Sequence, residues 1–296
     1  MRELARETVR SFTRHGGTLL AGACAFFAML SAAPLFFIAI AVAGALTGEA
    51  RARGELLRGM GTWVGPEGGA ALGRSLEDLQ SRPAGLLASA ASVAVLIYAS
   101  TRLFTQVQRA LNHMWDVQAR PAANLGGRLL RQVQKRALSF LVVLLCAVFL
   151  AGSVVIRTLL VRAAEVVAAG SHEHLPVLDH AGTFVVSSLF FGALFKLLPD
   201  VRIDVRDAAA GAVVTAALFL LGRALLGLYL GHKHLSSTFG AAGSLVMILL
   251  WVHYSAQIFF LGAAFTAAWA RRQGRPIVPS EGALRIHVEE APEGRG

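Results

Sequence analysis

The chain has 296 residues, 55% of them hydrophobic and only 16% charged, with two cysteines and a formal charge of +10. A soluble domain of this length would need far more charge to cover its surface, and the mean hydropathy of +0.58 points to a chain embedded in a membrane. The surplus of 28 Lys and Arg over 18 Asp and Glu speaks against nucleic acid as the partner, because these residues gather in short segments flanking apolar runs, as in loops held at a cytoplasmic membrane face.

In chain order, residues 1–15 read as an amphipathic helix. Arg2, Arg6, Arg10 and Arg14 recur every four residues, with Leu4, Ala5, Val9 and Phe12 on the other side. Such a helix lies at the interface with its arginines toward anionic headgroups, unless it packs on a cytoplasmic loop instead. The apolar run from Leu19 to Leu46 is about twice the length of a signal-peptide core, so it reads as a retained span. Pro34, behind Ser31, removes a backbone donor inside that span and predicts a kink, gating or static.

A span needs about 20 apolar residues, and six stretches qualify: approximately 18–46, 84–103, 137–160, 182–198, 207–230 and 240–269. Between the first two, Leu56, Leu57, Met60 and Trp63, then Leu72, Leu76 and Leu79, have helical spacing around Gly65-Pro66-Glu67-Gly68-Gly69, which predicts a helical hairpin. The second span continues into an amphipathic stretch with Phe104, Val107, Leu111 and Met114 on one face, Trp115 at headgroup level and Pro121 closing it. Cys24 and Cys146 fall inside apolar runs and read as small buried hydrophobes.

The link between the fourth and fifth spans is crowded with charge: Lys196, Asp200, Arg202, Asp204, Arg206 and Asp207. Salt bridges there would fix the turn, and Lys196, Arg202 and Arg206 are candidates to bind lipid headgroups together with the four arginines of residues 1–15. Arg223 lies in the fifth span near its middle, where an arginine usually faces a cavity or partner. His253, Tyr254 and Gln257 form a polar cluster in the sixth span, with His253 and Gln257 on one face. These four residues are the candidates for a transport path or, equally, a structural network. Ala208, Ala212 and Ala216 recur every four residues, which favours close helix approach.

His172-Glu173-His174 and the pair His232 and His234 supply no complete metal-ligand set. No nucleotide loop, dinucleotide fingerprint or zinc-spaced Cys/His set occurs, so no cofactor, metal or catalytic residue is expected. With both termini cytoplasmic, the inside segments hold 19 basic residues and the outside segments 8, as the positive-inside rule requires. The expectation is an all-α polytopic transmembrane bundle: an interfacial helix (1–15), a six-span domain (16–272) and a disordered cytoplasmic tail (273–296).

Several segments, in order and spacing, resemble the YihY / virulence factor BrkB family of inner-membrane proteins. They are Ala25-Phe26-Phe27-Ala28-Met29-Leu30-Ser31-Ala32-Ala33-Pro34, Ala110-Leu111-Asn112-His113-Met114-Trp115 and Leu197-Leu198-Pro199-Asp200. Phe239-Gly240-Ala241-Ala242, Leu249-Leu250-Trp251-Val252 and Gly262-Ala263 also fit. The chain departs from the family pattern at Phe26 or Phe27, where tyrosine is usual, and at Ala264, where an acid is usual. The resemblance implies a multi-pass protein of the bacterial cytoplasmic membrane, associated with envelope integrity and with proposed lipid transport. The ribonuclease label once attached to the family finds no metal-binding carboxylate pair or general base here. The leading expectation is a passive transporter or flippase of a lipid or other amphiphile, with membrane lipids as partners and homo-oligomerisation left open. The alternative is a non-transporting scaffold for envelope proteins.

Overall fold

The computed structural model describes residues 2–48, 50, 51, 53–55, 57, 58, 86–119, 148, 149, 152, 175–231, 243–280 and 283–285. Most of the expected third span, most of the hairpin in 48–83, Cys146 and both histidine-rich motifs lie outside them. Among the described residues the long helices are α1 (Arg2–Arg14), α2 (Gly17–Thr47), α3 (Leu86–Met114), α4 (Leu175–Leu197), α5 (Val205–Gly231) and α6 (Gly243–Arg272). Val205–Leu225 and Ile248–Arg272 are long and apolar enough to cross a membrane, and Gly17–Leu30 and Ala181–Leu197 are shorter apolar stretches.

Helix ends follow local chemistry. Gly16 takes φ 62° and breaks the chain between α1 and α2, a conformation that an L side chain resists. Gly274, at φ 67°, closes α6: its N–H donates to the Arg271 carbonyl and that of Arg275 to the Ala270 carbonyl, the paired bonds of a Schellman ending. α5 opens on Asp204, whose Oδ1 accepts the Arg206 N–H at 2.8 Å, an N-cap bond.

A number of large apolar side chains face outward, Leu19 at 80% and Leu189 at 69% exposure among them, while alanines such as Ala216, Ala263 and Ala264 are fully buried. That inversion suits hydrocarbon surroundings, where burying apolar surface between helices gains little and close backbone approach by small residues drives packing instead. An aromatic cluster fills the centre, with Phe195 stacked on Phe259 at 5.1 Å and Trp115 6.2 Å from Phe195.

The crossing of α5 and α6 is reciprocal. Gly211-Ala212-Val213-Val214-Thr215 on α5 runs antiparallel to Gly262-Ala263-Ala264-Phe265-Thr266 on α6. Thr266 sits directly against Gly211, and Thr215 against Gly262, leaving no room for a Cβ at either glycine. Each threonine is held in place because its hydroxyl donates to a carbonyl of its own helix: Thr215 to Gly211 at 2.7 Å and Thr266 to Gly262 at 2.8 Å.

Two small sheets go beyond the all-α expectation. β1 (Val117–Ala119) pairs antiparallel with β4 (Ala283–Arg285), and β2 (Val201–Arg202) with β3 (Val278–Pro279). The tail expected to be disordered is therefore ordered across these strands, because backbone pairing with two segments of the helical domain supplies partners that composition does not reveal. Residues 286–296 lie outside the description. The second span and its amphipathic continuation form one helix, α3.

Because both threonines are pinned, Gly211→Ala should destabilise the protein by roughly 1–3 kcal/mol through overpacking. Adding Thr266→Ala should recover most of that loss, a coupling that detergent-based equilibrium unfolding of the single and double variants would reveal.

Candidate functional site

Two polar assemblies stand out, one within the bundle and one at its end. Within the bundle, α6 presents His253, Tyr254 and Gln257, all half-buried. The Gln257 amide lies 2.7 Å from His253 Nε2, one helical turn away, so the amide N–H donates to a ring nitrogen that accepts. His253 Nδ1 then faces α2, where a Cβ on Gly22 would stand 3.8 Å from it. Tyr254 turns toward α5 and covers Gly222, where a Cβ would come within 2.7 Å of the phenol oxygen. Arg223, half-buried, is the next residue along. The structure thus turns His253 toward α2 and Tyr254 onto α5, while Arg223 adjoins Gly222 along α5. Gly222 is not among the sequence candidates, although a glycine beside an intramembrane arginine is the available signal. Ser31 and Pro34 lie where α2 is helical on both sides, and their side chains fall outside the described residues.

At the end of the bundle, the C-terminal turn of α3 reaches three neighbours. Asn112 Nδ2 donates to Asp200 Oδ2 at 2.8 Å, while Asn112 Oδ1 accepts the Asp200 N–H at 2.9 Å. Gln108 donates to the Leu198 carbonyl at 3.0 Å and to Asp200 Oδ1 at 3.3 Å. Trp115 Nε1 donates to the Ala263 carbonyl of α6 at 2.8 Å. Two of the segments that carry the family resemblance, 110–115 and 197–200, therefore meet through side chains. In the link after α4, Asp207, 1% exposed, accepts from Arg275 of the tail at 2.7 Å. Lys196 Nζ donates to the Ile203 carbonyl, and Arg202 and Arg206 are exposed.

The third neighbour is α1. Its buried stripe is Leu4, Thr8 and Ser11, continued by His15, whereas Ala5 and Val9 are exposed. This corrects the apolar face expected from the sequence at Ala5 and Val9 only: Leu4 and Phe12 do pack inward, small polar residues fill the rest of the docked side, and Thr8 satisfies its own hydroxyl on the Leu4 carbonyl at 2.8 Å. Glu7 accepts from Arg271 at 3.1 Å, and Glu3 lies 3.5 Å from Arg272. Arg14, expected to face lipid headgroups, lies 3.9 Å from Asp116, while Arg2, Arg6 and Arg10 are exposed. His15 Nδ1 lies 2.7 Å from the Ser11 carbonyl and Nε2 3.0 Å from Asp116 Oδ1. Both partners are acceptors, one for each ring nitrogen. The hydrogen bond from His15 holds the Asp116 carboxyl below its ordinary range, against the opposing effect of burial. Partial burial lowers His113, and His15, 5.3 Å away ring to ring, pushes the same way. Among the described residues no group of three or more His, Cys, Asp or Glu is placed to hold a metal ion.

A carboxyl depressed in the folded state stabilises it above the unfolded value and loses that contribution as pH falls through the folded value. Acidification below the ordinary carboxylate range should therefore speed hydrogen exchange in α1, and Asp116→Asn should show fast exchange already at neutral pH. Equal exchange in both proteins at all pH values would count against the clamp.

The virulence factor BrkB family model matches residues 8–284, a stretch that reaches into the last strand of the tail. A UPF0761 membrane protein of Mannheimia succiniciproducens is 25% identical over 260 residues, covering 86% of this chain and 85% of its own. One of Aggregatibacter aphrophilus is 22% identical over 276 residues, covering 91% and 93%. One of Chromobacterium violaceum is 26% identical over 263 residues, which is 86% of this chain but only 59% of that longer protein. No solved structure matches. These relatives are named as membrane proteins and not as enzymes. With its helices, its lipid-suited surface and a family match across nearly its whole length, the chain belongs to the virulence factor BrkB family of membrane proteins.

Proposed function

We propose that this protein is a passive transporter or flippase of a lipid or other amphiphile, crossing the bacterial cytoplasmic membrane six times with both termini in the cytoplasm. The observation that carries the reading is the polar set that α6 presents to its neighbours: His253, bonded to Gln257 at 2.7 Å and turned toward α2, and Tyr254 over Gly222, the residue before Arg223 on α5. Polar and ionisable groups are expensive within a bilayer and tend to mark pathways. They would give a headgroup successive hydrogen-bonding partners while its chains stay in hydrocarbon. The absence of a nucleotide motif from the sequence favours movement down a gradient. Support for the orientation comes from four segments counted as cytoplasmic: α1, the end of α3, the link after α4 and the end of α6. They lie together, joined by ion pairs and hydrogen bonds, as segments on one side of a membrane must.

The test is translocation of a headgroup-labelled phospholipid in liposomes containing the purified protein, read by quenching from outside. Quenching beyond that of protein-free liposomes is expected, and Arg223→Leu should abolish most of the excess without lowering the yield of folded protein. Transport unchanged by Arg223→Leu, or no excess with any headgroup, would overturn the reading.

A further inference from the structure

A groove of about 580 Å³ runs between α4 and α5, within the roughly 300–1,000 Å³ usual for ligand sites. Small residues, Gly192, Ala208, Ala209 and Ala212, are part of its lining. Val185, Leu189 and Val213 line its sides and are exposed. Along α4 the lining extends from Phe184 to Leu197, about 20 Å at the rise of an α-helix. That is enough for one leaflet, since half of a hydrocarbon core is about 15 Å.

One end of the groove is charged. Lys196 lines it, and Arg206 is exposed next to the lining residue Val205. The nearby acids are engaged elsewhere: Asp200 with Asn112 and Gln108, Asp207 with Arg275, and Asp204 as the cap of α5. Lys196 spends one donor on the Ile203 carbonyl, and an ammonium has three. The groove therefore offers an apolar channel of single-leaflet length that ends in positive charge.

We infer that this groove binds an anionic phospholipid of the leaflet at the basic end, one acyl chain lying between α4 and α5 and its phosphate beside Lys196. The inference does not depend on the transport reading, because binding is measured without translocation. The site lies on α4 and α5, apart from the polar set that includes His253 and Gln257.

The experiment is native mass spectrometry of the full chain released from nanodiscs of equal phosphatidylglycerol and phosphatidylcholine. Wild type should retain phosphatidylglycerol in preference. Lys196→Gln, which keeps a donor for the Ile203 carbonyl, should reduce that preference about fivefold. Ala209→Phe, at an exposed position, should lower retention of both lipids by filling the groove. Wild-type retention in both variants would overturn the proposal. So would a lipid-free dimer that Ala209→Phe converts to monomer, since a second copy would then occupy the groove. Retention sensitive to both variants, with no translocation in liposomes, would leave this site standing and remove the transport reading.

Discussion

Asp200 holds the polar end of the molecule together. Its carboxylate accepts from Asn112 and Gln108, its N–H donates to Asn112, and its carbonyl accepts from Ser280 at 3.0 Å. One residue in the turn after α4 thus joins the end of α3 to the C-terminal segment. The neighbouring strand β2 pairs with β3, and Asp207 meets Arg275, so the same short link is fixed at three places. Buried polar groups of this kind specify an arrangement because each loses much when its partner moves.

Farther along the bundle the constraint changes from hydrogen bonding to shape. Surrounding lipid is as apolar as leucine, so α5 and α6 associate through close approach, which the two glycine–threonine pairs permit. The same close register continues to Gly222, which Tyr254 covers. Small residues have a second consequence on the side of α5 toward α4, where Ala208, Ala209 and Ala212 leave space that α4 does not fill.

Much of this is legible in the sequence, because spans declare themselves through long apolar runs. The bounds of α2, α4, α5 and α6 follow those runs to within several residues. Intramembrane charge and helical spacing alone point to Arg223, His253, Tyr254 and Gln257. What local pattern hides is pairing between distant segments. Asn112 and Asp200 are 88 positions apart and Asp207 and Arg275 are 68, and nothing near either residue announces its partner. The face of α1 departs from expectation for a related reason. Hydrophobic periodicity looks for an apolar stripe, whereas Thr8, Ser11 and His15 dock by satisfying their polar groups locally or on Asp116. Paired strands in a Pro- and Gly-containing tail leave no periodic signal at two or three residues each.

The most direct measurement is hydrogen–deuterium exchange of the full chain in nanodiscs, comparing wild type with Asp200→Ala. If Asp200 joins the segments as described, amides in 108–119, 198–203 and 278–285 should exchange faster together, while the crossing of α5 and α6 keeps its protection. Faster exchange confined to the immediate neighbours of position 200 would contradict the account.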